Sequence, residues 1–322
     1  MLFITNRVPK EPIALKENRS ISFDVDNNSV SNSVYFCQRK GKNNYVEVGS
    51  KNFLRAIKKK NKKEVLLYIH GFSNLPEPDI FPRAQTLQTL FNKKSPGLIE
   101  VIPLIWPCDS DFGIIKDYWD DQKSADKSSY AFARVLEKFM QWRNDTKENP
   151  EDDPCLKRIN VLAHSMGNRV LRETLRAWDR YDLASGVPML FRNTFLVAAD
   201  IVNEFLEPGN SGELISHASR NVVVYFASDD LALRASKVSN LKNKVASRRL
   251  GHTGPEDISK APKNVFAIDC DNFNTRYDEP KGHSYFLNDD KGKPGAVFNH
   301  IHKTITKTRV IRGDEFPRTF VL

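Results

Sequence analysis

From residue 65 onward the chain alternates short apolar runs with amphipathic stretches. The runs are VLLYIH (65–70), EVIPLIW (100–106), RINVLAH (158–164), NTFLVAAD (193–200), NVVVYFAS (221–228) and NVFAIDC (264–270). Each has the length of a strand buried on both faces, and their apolar positions do not alternate with polar ones as in a half-exposed sheet. Between them lie helical patterns. One spans 80–93. A second, 128–142, places Phe132, Val135, Leu136, Phe139 and Trp142 on one face. A third follows residue 164 with no loop and carries the stripe Val170, Leu171, Thr174, Leu175 and Trp178; the last, GAVFNHIHKTI (295–305), closes the series. Strands alternating with helices predict an α/β fold, with a mostly parallel central sheet and helices on both faces.

The first 60 residues are more mixed. FITNRV, SVYFCQR and YVEVG predict short edge strands. No linker or repeat separates them from the rest, so the pattern predicts one domain over 1–322: N-terminal edge strands in 1–62, a core over 63–305 and a tail over 306–322.

The chemistry gathers at RINVLAHSMGNRVL (158–171). Ser165 stands where an apolar strand passes directly into an amphipathic helix. A turn this tight holds its central residue in a strained backbone conformation and needs small neighbours. Ala163 and Gly167 supply them, in an A-x-S-x-G variant of the G-x-S-x-G elbow. His164 and Gly167 flank the turn as supporting positions. The start of the helix offers unpaired N–H groups, and that of Met166 is the candidate donor to an oxyanion. The plain alternative is a serine that merely caps a helix.

A nucleophilic serine needs a base and an acid that orients it; in this architecture the acid precedes the base along the chain. Asp229 and Asp230 follow the run 221–228, and Asp200 at the end of 193–200 is an alternative acid. His283, in the turn-rich stretch after the last run, is the candidate base, with His252 as the alternative. The stretch HGFSN after the first run would give the second oxyanion donor, the N–H of Phe72. Gly71 lets the backbone approach the substrate there. His70 is expected to brace that turn rather than to act as a base. No metal-ligand spacing and no cofactor motif appears.

Taken in order, VLLYIHGFSN, PLIWPCDS, YWDDQKSADKSSYAFARVLE, INVLAHSMGNRVLRETL, FLVAADIVNEFL, SDDLALRAS and HSYF resemble the DUF900 family of bacterial α/β hydrolases over roughly residues 63–305. The resemblance implies Ser165 as nucleophile, His283 as base, and Asp230, the Asp of D-x-A-L, as the acid rather than Asp229. It implies a serine hydrolase acting on an ester or related acyl bond, without naming the substrate. Two other readings use the same residues: an acyltransferase, or a catalytically silent binding or effector module on this fold. Trp106, Phe112, Tyr118 and Trp119 either line an apolar substrate pocket or pack the 107–127 stretch onto the body.

Composition adds less. Hydrophobic residues make up 40% and charged ones 28% of the 322 residues, as in ordinary globular proteins. The four scattered cysteines, Cys37, Cys108, Cys155 and Cys270, read as reduced thiols. The N-terminus lacks a signal-peptide core, and no run reaches the about 20 apolar residues of a membrane span. A cytoplasmic protein with a small-molecule or lipid ester substrate is the expectation. The net charge of +9 sits partly in Lys58–Lys63 and in Lys237–Arg249. These runs allow contact with an anionic surface but lack the interleaved aromatics of a nucleic-acid groove, so no nucleic-acid partner is expected.

Overall fold

The computed structural model describes residues 1–12, 17–109, 114–144, 157–182, 186–235, 248–310 and 318–322. The chain forms two compact units. One comprises Met1–Ile159 and Glu173–Gly186, the other Asn160–Arg172 and Val187–Leu322.

In the first unit the strands β1 (Leu2–Arg7), β2 (Arg19–Ile21), β3 (Val30–Gly41), β4 (Asn44–Glu47), β5 (Glu64–Ile69) and β6 (Ile99–Ile105) lie in the order β5-β6-β1-β3-β4-β2. β5, β6 and β1 run parallel; β3, β4 and β2 continue antiparallel. In the second unit, β7 (Arg158–His164), β8 (Phe191–Val197), β9 (Ser219–Phe226), β10 (Val265–Asp269) and β11 (Thr319–Val321) lie in the order β11-β10-β9-β8-β7. β8 through β11 are parallel. Parallel strands buried along their whole length, with helices between them, make the α/β arrangement that the apolar runs predict. β5, β6 and β8 are buried at every position.

The helices of the first unit are α1 (Ser50–Lys59), α2 (Phe81–Lys94) and α3 (Ile114–Asn144); α4 (Gly167–Asp182) follows β7, and the second unit adds the short α5 (Glu213–His217) and a closing helix, Ala296–Lys307. A π-helical turn, Pro76–Ile80, leads into α2.

Three expectations change. β1 and β3 are not edge strands. β1 pairs with β6 on one side and β3 on the other, and β3 with β1 and β4. The polar end of β1 is buried and satisfied one residue at a time: Thr5 Oγ1 donates to Ile105 O at 2.8 Å, Asn6 Nδ2 to Ser128 Oγ at 2.9 Å, and Arg7 Nη1 to Asp24 O at 3.1 Å. Second, α3 begins at Ile114, far ahead of residue 128. Its first half has no apolar stripe because its buried face is polar, with Asp121, Gln122, Ser124 and Ser128 all inside. Third, the tail returns to the sheet as β11, pairing Ala267 with Thr319 and Asp269 with Val321.

The first lysine run ends α1 and forms the turn beyond it. Lys58 and Lys59 sit in the last turn of α1, Lys60 pairs with the buried Glu100, and Lys62 donates to Asn92 at 2.6 Å. Residues 237–247 of the second run, with Phe112 and Cys155, lie outside the described residues. Among the described residues, no helix is long and apolar enough to cross a membrane.

Candidate active site

β7 delivers Ser165 to the mouth of α4. Its φ is 53°, a left-handed conformation that few residues other than glycine adopt. The strain is held by a dense set of bonds. The Ser165 N–H donates to Val197 O at 3.0 Å, and the Ser165 carbonyl accepts from Asn168 N at 3.1 Å, Asn168 Nδ2 at 2.9 Å and Asp200 N at 3.2 Å. Asn168 Nδ2 also reaches Ala163 O at 3.1 Å. The fully buried Asn168 thus locks the turn from inside the helix. Nothing in the sequence pattern singled it out, because an asparagine one residue into a helix is common. Such a strained residue is a frequent mark of a functional position.

His283 and Asp230 are joined. His283 Nδ1 lies 2.7 Å from Asp230 Oδ2, with Asp230 wholly buried and the imidazole 14% exposed. A carboxylate only accepts, so Nδ1 carries the proton and the lone pair falls on Nε2. Asp230 Oδ1 takes the Leu233 N–H at 3.0 Å. The loop before the histidine is pinned by Asp278, whose Oδ2 accepts from His283 N at 2.9 Å and Ser284 N at 2.8 Å. Burial disfavours the imidazolium, but the charge and hydrogen bond of Asp230, helped by Asp200 and Asp278, outweigh it and raise the His283 pKa above its usual value.

The pair lies beside the elbow. His164 Nε2 donates to the His283 carbonyl at 3.1 Å, and the two rings are 4.8 Å apart. Among the described residues, the Ser165 hydroxyl makes no hydrogen bond with His283; such bonds often close only around a substrate. The other candidates have different partners. Asp229 accepts from Asn274 Nδ2 at 2.5 Å. Asp200 forms a buried ion pair with Arg249 at 3.2 Å. His252 lies on the short helix Leu250–Thr253, half-buried.

In the first unit, the turn after β5 is braced by His70. Its ring stacks on Trp106 with centroids 5.0 Å apart and planes 3° from parallel. Nε2 accepts the Trp106 N–H at 3.2 Å, Nδ1 donates to Gly71 O at 2.9 Å, and the His70 carbonyl accepts from Trp106 Nε1 at 2.9 Å. Burial pushes the imidazole down to about 3, so it stays neutral. The described aromatics that follow make ring contacts around this turn. Trp106 is fully buried, and Tyr118 meets Phe72 edge-on at 5.7 Å and Trp119 at 6.0 Å.

A family model described as an alpha/beta hydrolase of unknown function (DUF900) matches residues 47–293, and the chain belongs to this family. No curated protein matches the sequence. Among solved structures, phospholipase PlaB from Legionella pneumophila aligns at 12% identity and a TM-score of 0.27, over 68% of this chain and 40% of that one. The aligned part therefore covers less than half the length of that phospholipase.

Proposed function

We propose that the protein is a serine hydrolase that cleaves an ester or related acyl bond through an acyl-enzyme on Ser165. The observation that carries this reading is the 2.7 Å His283–Asp230 pair beside a serine held at a φ of 53°. Membership of an α/β hydrolase family supports it.

In this mechanism Nε2 of His283 takes the Ser165 proton as Oγ attacks the acyl carbonyl. The buried Asp230 fixes the tautomer and stabilises the imidazolium that forms. The oxyanion is held by the N–H of Met166, at the positive end of α4. Donors of this kind contribute about 3–4 kcal/mol each to the transition state. The imidazolium then protonates the leaving alcohol, and water, activated by the same histidine, releases the acid. The substrate class is a small-molecule or lipid carboxylic ester. The buried free thiols Cys37, Cys108 and Cys270 fit a reducing, cytoplasmic setting.

A panel of p-nitrophenyl esters of increasing chain length tests the reading. Ser165→Ala is expected to lose turnover by at least about a thousandfold, as removal of a nucleophile does. Turnover at the wild-type rate in that variant would refute the mechanism.

A further inference from the structure

The acid and the base stand on different loops, and one side chain bonds both of them. Asp230 follows β9, and His283 lies beyond β10. Between them in sequence, Asn274 opens the short helix Asn274–Tyr277 and is fully buried. Its Nδ2 donates to Asp229 Oδ1 at 2.5 Å and to the Gly282 carbonyl at 3.1 Å. Asp229 immediately precedes the acid, and Gly282 immediately precedes the base. All these residues belong to the second unit.

The chemistry fixes which way the amide faces. A carboxylate and a carbonyl oxygen only accept, so the NH₂ end meets both, with one hydrogen for each loop. Among the described residues the Asn274 Oδ1 has no hydrogen-bond partner, so the side chain acts through its nitrogen. Gly282 comes this close because it has no side chain. Its φ is 63°, and a Cβ there would lie 2.6 Å from Asn274 Nδ2. The main chain adds a second tie, Leu231 N donating to Lys281 O at 3.0 Å. Asn274 is itself anchored to the segment leaving β10, its N–H donating to Cys270 O at 3.1 Å, and its carbonyl accepts from Asp278 N at 3.0 Å. Asp278 in turn takes the N–H groups of His283 and Ser284.

We propose that Asn274 is a positioning residue, whose amide fastens the Asp229–Asp230 turn to the Gly282–His283 loop and so keeps acid and imidazole at 2.7 Å. The proposal rests on the serine-hydrolase reading, in which that pair activates Ser165. A shift of about 1 Å in either loop would open the pair beyond hydrogen-bond range. The groups that face His283 are Asp230 after β9, Asp200 after β8, Asp278 in its own loop and His164 at the end of β7. Asp230 hydrogen-bonds the ring. Drawing it away weakens the imidazolium, so the base becomes neutral at a lower pH.

The test compares wild type with Asn274→Ala, Asp229→Ala, Asp229→Asn and Ser165→Ala. It uses p-nitrophenyl butyrate turnover and the rate of labelling by an uncharged fluorophosphonate, both from about pH 5 to 9, with thermal melting beside them. Alanine at 274 removes both bonds. Alanine at 229 removes one of them, whereas asparagine at 229 removes the charge but keeps an oxygen that accepts from Asn274. For Asn274→Ala, held below its melting temperature, kcat and the labelling rate are expected to fall at least about tenfold with KM nearly unchanged. The acid limb of both profiles is expected to move to lower pH. Asp229→Ala should change both in the same direction by less, and Asp229→Asn should recover most of that change, which a loss of charge alone would not do. Folded Asn274→Ala with wild-type kcat, or with lowered kcat and an unmoved limb, would overturn the proposal while leaving Ser165 as nucleophile. If Asn274→Ala does not fold, the Asp229 variants decide: identical profiles in Asp229→Ala and Asp229→Asn would overturn it. Wild type that resists the probe, or Ser165→Ala that labels equally, overturns the underlying reading and this proposal with it.

Discussion

At the residue scale the surroundings of His283 and His70 shift their pKa values in opposite directions. For His283, the Asp230 charge outweighs burial and raises the pKa above 6.5. The imidazolium therefore contributes stability that is fully present below about pH 6.5 and is lost as pH rises through the raised value. As a base, His283 must be neutral, so activity should rise through the same window. Asp230→Asn is expected to cost on the order of 10⁴ in kcat, the typical price of a wrong tautomer, and to move the acid limb of kcat/KM to lower pH. A limb at the wild-type position would show that Asp230 does not govern the base. His70 is the reverse case, held neutral with its pKa pushed down to about 3. Between pH 6.5 and 3 the unfolded chain takes up a proton that the folded one refuses, so stability falls with falling pH, by up to about 1.4 kcal/mol per pH unit. Urea midpoints from pH 7 to 4.5 should therefore fall less steeply in His70→Gln; equal slopes would contradict this. As candidates, Ser165 and His283 stood out in the sequence as an elbow and a histidine after the last run. Asp230 and Asp229 could not be separated from the residues alone, since which neighbouring carboxylate meets the imidazole is decided by the loop that carries Asn274.

Among the elements, the segment Leu250–Thr253 is the tightest wedge. The Gly251 N–H donates to Ala199 O at 2.9 Å, and its carbonyl accepts from Ala227 N at 3.0 Å, joining the ends of β8 and β9. A Cβ on Gly251 would lie 2.1 Å from the Ala199 nitrogen and 2.2 Å from the Ala198 carbonyl carbon. Both are backbone atoms that cannot swing aside. Gly251→Ala is expected to destabilise by about 1–3 kcal/mol or more, read as a lowered melting temperature; an unchanged one would mean that the segment yields. The buried strands were plain in the sequence because a strand covered on both faces is a continuous apolar run. The inner position of β1 and the first half of α3 were not, for one shared reason: the second half of β1 and much of the buried face of α3 are polar and are satisfied by partners far along the chain. Asn6 of β1 bonds Ser128 of α3, a pairing that no local pattern carries. β11 is only three residues long, with no fully buried position to mark it.

On the scale of the molecule, the net charge of +9 has local uses where it is described. Lys58 and Lys59 close α1, and Lys93 and Lys94 close α2, where cations meet the negative ends of the helix dipoles. Steep salt-dependent binding to duplex DNA, the mark of many phosphate contacts, is not expected in a filter-binding assay from 50 to 200 mM salt. The proposed function rests instead on a few bonds around one turn. Labelling with a fluorophosphonate, followed by mass-spectrometric mapping of the adduct, tests that most directly. The expected result is one phosphonylated peptide, carrying Ser165, in wild type and none in Ser165→Ala or His283→Ala. An adduct on another residue, or equal labelling of Ser165→Ala, would contradict the assignment of Ser165 as an activated nucleophile.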